Sequence, residues 1–244
     1  MPARLYTIAL SHPAHAARLM LEHKGIDFET TEILAGVHPV VLRARGFTGG
    51  TVPALKIGGR RIQGSREIAA ALEEIKPDRP LFPADSAARE AVAEAERWGE
   101  EVLQPVPRRL IRWGMSHDNG VRRWFLREAA GIPGDPLLGP ALLPQALIFA
   151  RMVGADTETV RADIQRVPEL MRHVGSLIDA GTLGGEEVNA ADFQIGTSVR
   201  VMLGFADLRA LVEDTAAAQL ALRVFPGFDH ELPAFVPAHW LRPA

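Results

Sequence analysis

Two hydrophobic periods alternate along the first third of the chain. Leu5-Tyr-Thr-Ile-Ala-Leu10 is a short apolar run of the kind that forms a buried strand. Pro13 then opens a segment closing at Gly25, and Ala14, Ala17, Leu21 and Lys24 fall on one helical face. Proline just inside the start and glycine just past the end are the expected helix punctuation. Strand character returns from Phe28 to Leu34, and His38 to Arg45 predicts a short helix. Val52-Pro-Ala-Leu-Lys-Ile57 and Arg60-Arg-Ile62, joined by Gly58-Gly59, predict a β-hairpin. Ser65 is the expected N-cap of a third helix, whose Ile68, Leu72 and Ile75 recur at four- and three-residue spacing. The order βαβαββα predicts a small α/β sandwich with a parallel pair, an antiparallel hairpin and a closing helix.

Lys76-Pro-Asp-Arg-Pro-Leu-Phe-Pro83 breaks this pattern, because proline at that density cannot continue a helix. It predicts a linker between two domains, residues 1–77 and 87–244, with 78–86 between them. Beyond it the helical period dominates. Ser86 to Arg97, Asp118 to Ala130, Asp156 to Ala180 and Asn189 to Gly204 all read as helices, the last with Ile195, Val199 and Met202 on one face. The second domain is therefore expected to be an all-α bundle.

Composition narrows the chemistry. The chain of 244 residues carries a net charge of −3 and is 47% hydrophobic and 23% charged, an ordinary globular balance with no basic excess for nucleic acid or an anionic membrane. The N-terminus from Met1 has no basic segment, apolar core or cleavage site of a signal peptide. The apolar stretch Leu137 to Val153 is broken by Gly139, Pro140 and Pro144, so no membrane span is expected, and the predicted location is cytoplasmic. Cysteine is absent, which excludes disulfides, thiolate-bound metals and a protein-supplied thiol nucleophile.

Three features of the first domain stand at connections that such a sandwich brings to one end of its sheet. They are Ser11 at the first strand–helix junction, Val52-Pro53 at the third strand, and Gly64-Ser65-Arg66 at the third helix. Each serine read alone is a helix cap, and a proline at a strand entry is common; three such features meeting at one end of the sheet are less easily dismissed. His12 and His15 have the i, i+3 spacing of metal ligands, but no carboxylate stands nearby as a third, and no metal is expected. Tyr6, the one tyrosine, lies in mid-strand and is expected in the core or at an interface.

These segments resemble the glutathione transferase family. Ser11-His-Pro-Ala-His-Ala-Ala-Arg18-Leu-Met-Leu with Gly25 resembles its strand–helix segment, in which a catalytic Ser or Cys stands at this distance from the closing glycine. Thr51-Val-Pro-Ala-Leu55 is similar to its Val-Pro-x-Leu signature, whose proline is cis. Gln63-Gly-Ser-Arg-Glu-Ile68 is similar to its Glu-Ser-x-x-Ile glutathione motif, and Asn189-Ala-Ala-Asp192 to its helix-starting capping box.

The resemblance implies a thioredoxin-like N-terminal domain, an all-helical C-terminal domain, a homodimer and a cytoplasmic detoxification enzyme. It implies Ser11 as thiol activator of the serine type, with glutathione as co-substrate and no other cofactor. Val52 would pair with the backbone of glutathione as an added strand. Ser65, the Arg66 N–H and the start of the third helix would hold the γ-glutamyl carboxylate. Gln63, Pro53 and, for the glycyl carboxylate, His38, Arg43 and Arg45 complete the expected thiol side. Trp98, Val102, Val106, Arg109 and Trp113 either line a pocket for a hydrophobic electrophile or form interdomain core. His12 either polarises the site or is exposed.

Gly64 stands where the family usually has Glu or Gln, and this departure supports a second reading. In it the fold serves as a non-catalytic binding or interaction protein; a transferase using a different low-molecular-weight thiol is a further alternative.

Overall fold

The computed structural model describes residues 2–132 and 138–241, with the backbone alone at Ala130. Met1, and Leu137 at the head of the apolar stretch noted above, lie outside the described residues. The chain begins β1 (Ala3–Thr7), α1 (His12–His23), β2 (Phe28–Glu32), α2 (His38–Ala44), β3 (Ala54–Ile57), β4 (Arg60–Gln63) and α3 (Ser65–Ile75). The sheet order is β2-β1-β3-β4, with β1 parallel to β2 and antiparallel to β3. The order of elements predicts such a sandwich, and its topology is the thioredoxin-like one that the resemblance implies. The β3–β4 turn uses Gly58 at φ 54° and Gly59 at φ 84°, the positive values a two-residue hairpin turn needs.

The helical domain comprises α4 (Ser86–Trp98), a π-helical turn (Gly99–Leu103), α5 (Pro105–His117), α6 (Asn119–Ala130), α7 (Leu138–Ala141) and α8 (Leu143–Met152). It continues with α9 (Thr157–Asp179), α10 (Ala190–Leu203), α11 (Ala206–Val212), α12 (Ala216–Val224) and a 3-10 turn at Ala238–Trp240. Asp85, Asp118, Asp156 and Thr215 each cap a helix by accepting a backbone N–H three residues on. Helix α10 is buried almost all round, packing on α1, α4 and α12, and is the axle on which the two domains sit.

The face of α1 predicted from spacing is the one that is buried, and it includes Lys24, whose side chain is 0% exposed. Its ammonium donates to Glu73 Oε2 at 2.6 Å and to the carbonyls of Lys76 and Asp78. An ion inside the fold is tolerable because all of its protons have acceptors. The proline-rich segment is accordingly not a free tether. The Leu81 N–H donates to Glu73 Oε2, the Leu81 carbonyl accepts from Ala190, and Leu81 and Phe82 are buried.

Candidate functional site

Strand β1 ends at Thr7, and Ile8-Ala9-Leu10 leave the sheet rather than continue it. Leu10 takes φ 62°, and the reversal delivers Ser11 to the N-cap of α1 with extended backbone. The Ser11 carbonyl accepts from the His15 N–H, but its hydroxyl makes no capping bond. The capping reading of Ser11 is therefore not realised by its side chain, which is left for another acceptor.

The Val52–Pro53 peptide is cis. Among the described residues, neither the N–H nor the C=O of Val52 has a hydrogen-bond partner. The Pro53 carbonyl accepts from Gly64 at 3.0 Å, which ties this peptide to the start of α3. The helix cap there is Gly64, at φ 96°, and Ser65 is the first helical residue. Ser65 is only 2% exposed, and its Oγ has no partner among the described residues. A buried hydroxyl without a partner is costly. Gln63 turns the other way: its Oε1 accepts from Gly49 at 2.7 Å and its Nε2 donates to Thr51 at 3.1 Å. It braces the loop that carries Val52.

A cavity of about 330 Å³ opens between the two domains. The first domain contributes Ser11, His12, His38 and Val52, and the second contributes Arg108, Ile111 and Arg112 of α5, with Trp124, Phe125 and Phe149. Ser11 and Val52 are thus brought together. Ser65, Arg66, Gln63 and Pro53 do not line the cavity; they stand behind the loop that does, tied to it by the Pro53–Gly64 bond and by the bonds of Gln63 to Gly49 and Thr51. Arg43 and Arg45 are exposed at the end of α2, whereas His38 lines the cavity.

The expected electrophile stripe lies elsewhere. Trp98 packs its ring on His173 at 4.3 Å, Arg109 forms a two-pronged ion pair with Asp163 at 2.6 and 2.7 Å, and Trp113 donates to Thr157 Oγ1 at 3.1 Å. Val106, Leu110 and Trp113 are buried, and Arg109 and Trp113 bond to α9, so these residues belong to the packing of the helical domain itself rather than to a pocket wall. The most apolar stripe of α5 is drawn into the core. The stripe next to it, with Pro107, Arg108, Ile111 and Arg112, is left to face the cavity. Nothing local in the sequence distinguishes Arg108 and Arg112 from surface arginines; only their i, i+4 spacing on one helix face could have flagged them as a pair.

His12 is not exposed. It is buried against α10, with Nδ1 and Ser198 Oγ 3.0 Å apart. Burial, reinforced by Arg108 and His15, pushes its pKa well below the usual imidazole range, so it is neutral at physiological pH. Tyr6 lies in the core edge-on to Phe47, at 5.5 Å between ring centroids.

Arg66 reaches Glu100 at 3.4 Å and lies 3.9 Å from the buried Glu96. Burial, partly offset by Arg66, pushes the Glu96 carboxyl from 4.5 up to about 7. A carboxyl harder to ionise folded than unfolded weakens folding once the unfolded chain ionises. That loss grows as pH rises from 4.5 to about 7 and is constant above. Glu96→Gln is therefore expected to be more stable than wild type above pH 7, by up to about 3 kcal/mol, with no gain near pH 4.5. Denaturant titrations at both pH values check this; equal stability at high pH contradicts it.

Among the described residues no group of three or more His, Asp or Glu side chains is arranged to hold a metal, and no helix is long and apolar enough to cross a membrane.

Residues 5–80 match the family described as glutathione S-transferase, N-terminal domain. No curated protein matches the chain by sequence. Among solved structures, a glutathione S-transferase from Sinorhizobium meliloti 1021 is similar at TM-score 0.61 and 18% identity, over 92% of this chain and 88% of that one. FzlA from C. crescentus is similar at TM-score 0.58 and 19% identity, over 99% and 98%. A maleylacetoacetate isomerase from Anaeromyxobacter dehalogenans 2CP-1, solved with dicarboxyethyl glutathione and citrate in its active site, is similar at TM-score 0.54 and 18% identity, over 93% and 91%. Residues 5–80 thus match the glutathione S-transferase N-terminal domain family, and the chain as a whole has the fold of these solved structures.

Proposed function

We propose that the protein binds glutathione, or a closely related thiol, along Val52 and presents its sulfur to the Ser11 hydroxyl for attack on an electrophile in the interdomain cavity. The observation that carries this reading is the pairing of an uncommitted serine hydroxyl with an unpartnered stretch of backbone at one cavity. The cysteinyl backbone of the thiol pairs with the Val52 N–H and C=O as an added strand. Its γ-glutamyl carboxylate takes the Ser65 hydroxyl and the free N–H groups at the start of α3.

The chemistry needs a thiolate near neutral pH. Lowering a thiol pKa of 8.5 by about two units takes roughly 2.7 kcal/mol of preferential stabilisation. A hydroxyl donating to a charged acceptor supplies about 1.5–3 kcal/mol, and the start of a helix about 0.3–1 kcal/mol. Ser11 at the N-cap of α1 offers both, so no metal or other cofactor is required. The thiol proton leaves to solvent, the sulfur forms a bond to the electrophilic carbon, and the leaving group departs with its electron pair. In an addition, that carbon skeleton takes a proton instead.

A second reading, a binding protein without chemistry, is favoured by Gly64. There is no side chain at that position, and a Cβ there would run into the Glu67 carboxylate, which covers the place. Retention on immobilised glutathione tests the thiol site itself. Wild type is expected to be retained and eluted by free glutathione, and Ser65→Ala to bind at least about tenfold more weakly, the value of one charge-assisted hydrogen bond. Failure of wild type to bind, or equal retention of both proteins, removes glutathione from the account.

A further inference from the structure

Arg108 and Arg112 put two guanidinium groups on the cavity wall, one turn apart on the same face of α5. Like charges at this spacing repel, and burial makes the repulsion worse. Among the described residues, neither arginine takes part in an ion pair, and no Asp or Glu lines the cavity. Among the described residues Arg108 bonds only to the neutral amide of Gln104, and the acid closest to it in effect, Glu100, is paired with Arg66. Arg112 reaches Met115 Sδ at 3.8 Å, a weak acceptor, and lies over the Phe149 ring at 5.1 Å and the Phe125 ring at 6.0 Å. The imidazoles on the same wall add no negative charge. His12 is neutral, His230 is already paired with Glu128, and His38 accepts from the Gly36 N–H. By contrast Arg109, on the next stripe of the same helix, has its own carboxylate.

We infer that the cavity's second ligand is a small aromatic electrophile bearing a carboxylate, its oxyanion seated on Arg108 and Arg112 and its ring against Phe125, Phe149 and Trp124. A planar carboxylate satisfies guanidinium donors in pairs and relieves the repulsion between them. The apolar remainder of the wall suits a ring rather than a second charge. A volume of about 330 Å³ restricts the guest to one or two rings. This deepens the thiol-transfer reading and rests on it for the reaction, but the binding it asserts needs no thiol.

Calorimetric titration of the full chain with 1-naphthoate and with its neutral isostere 1-naphthamide separates charge from shape. The acid is expected to bind about tenfold or more tightly than the amide, the scale of charge-assisted hydrogen bonds. Arg112→Gln and Arg108→Gln should each remove most of that preference and leave the amide within about twofold, since packing is untouched. Arg112→Lys should retain part of it, because charge survives and the planar fork does not. Equal affinity for acid and amide in wild type, a comparison that needs no variant to fold, overturns the inference; so does parallel loss of both ligands in the glutamine variants. Loss of glutathione retention with the naphthoate preference intact would sink the thiol reading alone.

Discussion

Ser11→Ala is expected to slow conjugation of glutathione to an activated aromatic electrophile by about 10- to 100-fold at neutral pH. The estimate follows from the hydrogen bond removed, worth about 1.5–3 kcal/mol when its acceptor is a charged sulfur, at tenfold per 1.36 kcal/mol. The helix start survives the substitution, so the loss is not total. Because the Ser11 hydroxyl caps nothing in α1, its removal should leave thermal stability nearly unchanged. Thiol affinity should change little at low pH, where both proteins bind the neutral form. Steady-state rates with parallel thermal melts check the prediction; equal rates in the two proteins would take Ser11 out of the chemistry.

Asp192→Ala should give the largest loss of stability, about 3–5 kcal/mol. Asp192 is 0% exposed at the start of α10 and accepts from the Gly184 N–H at 2.8 Å and the Asn189 N–H at 2.9 Å. Asn189 returns the arrangement, accepting from Ala191 and Asp192 and donating to the Thr182 carbonyl. Alanine would leave two backbone donors without partners next to a buried helix end, and α10 supports both domains. A fall in the urea midpoint with an unchanged slope is the expected signature. A loss below about 1 kcal/mol would mean that water replaces the carboxylate, and that the box is only a local cap.

What could be read in advance divides along the range of the forces involved. The capping box at Asn189 and Asp192, the Gly58-Gly59 turn and the buried face of α1 are local patterns, and each stands where it was read. Lys24 shows how far periodicity reaches: its place on the apolar face was legible, but its acceptors at Glu73, Lys76 and Asp78 come from distant chain. The cavity wall was not legible. Two stripes of α5 compete for the core, and the apolar one, with Val106, Leu110 and Trp113, wins by burial. The arginine stripe faces the cavity only as a consequence. Of the two readings given for His12, exposure fails, since a polar residue at a helix start reads as exposed until α10 is packed over it; His12 is buried and lines the cavity. Ser65 was expected as the cap, yet Gly64 holds that position because its positive φ suits glycine.

Ser11 and Val52 carry the central claim, and the ionisation of a bound thiol measures it most directly. Glutathione bound to the protein should show thiolate ultraviolet absorbance titrating about two pH units below the free thiol in wild type, and close to the free value in Ser11→Ala. A bound thiol that titrates in wild type at the same pH as in free solution would contradict the account.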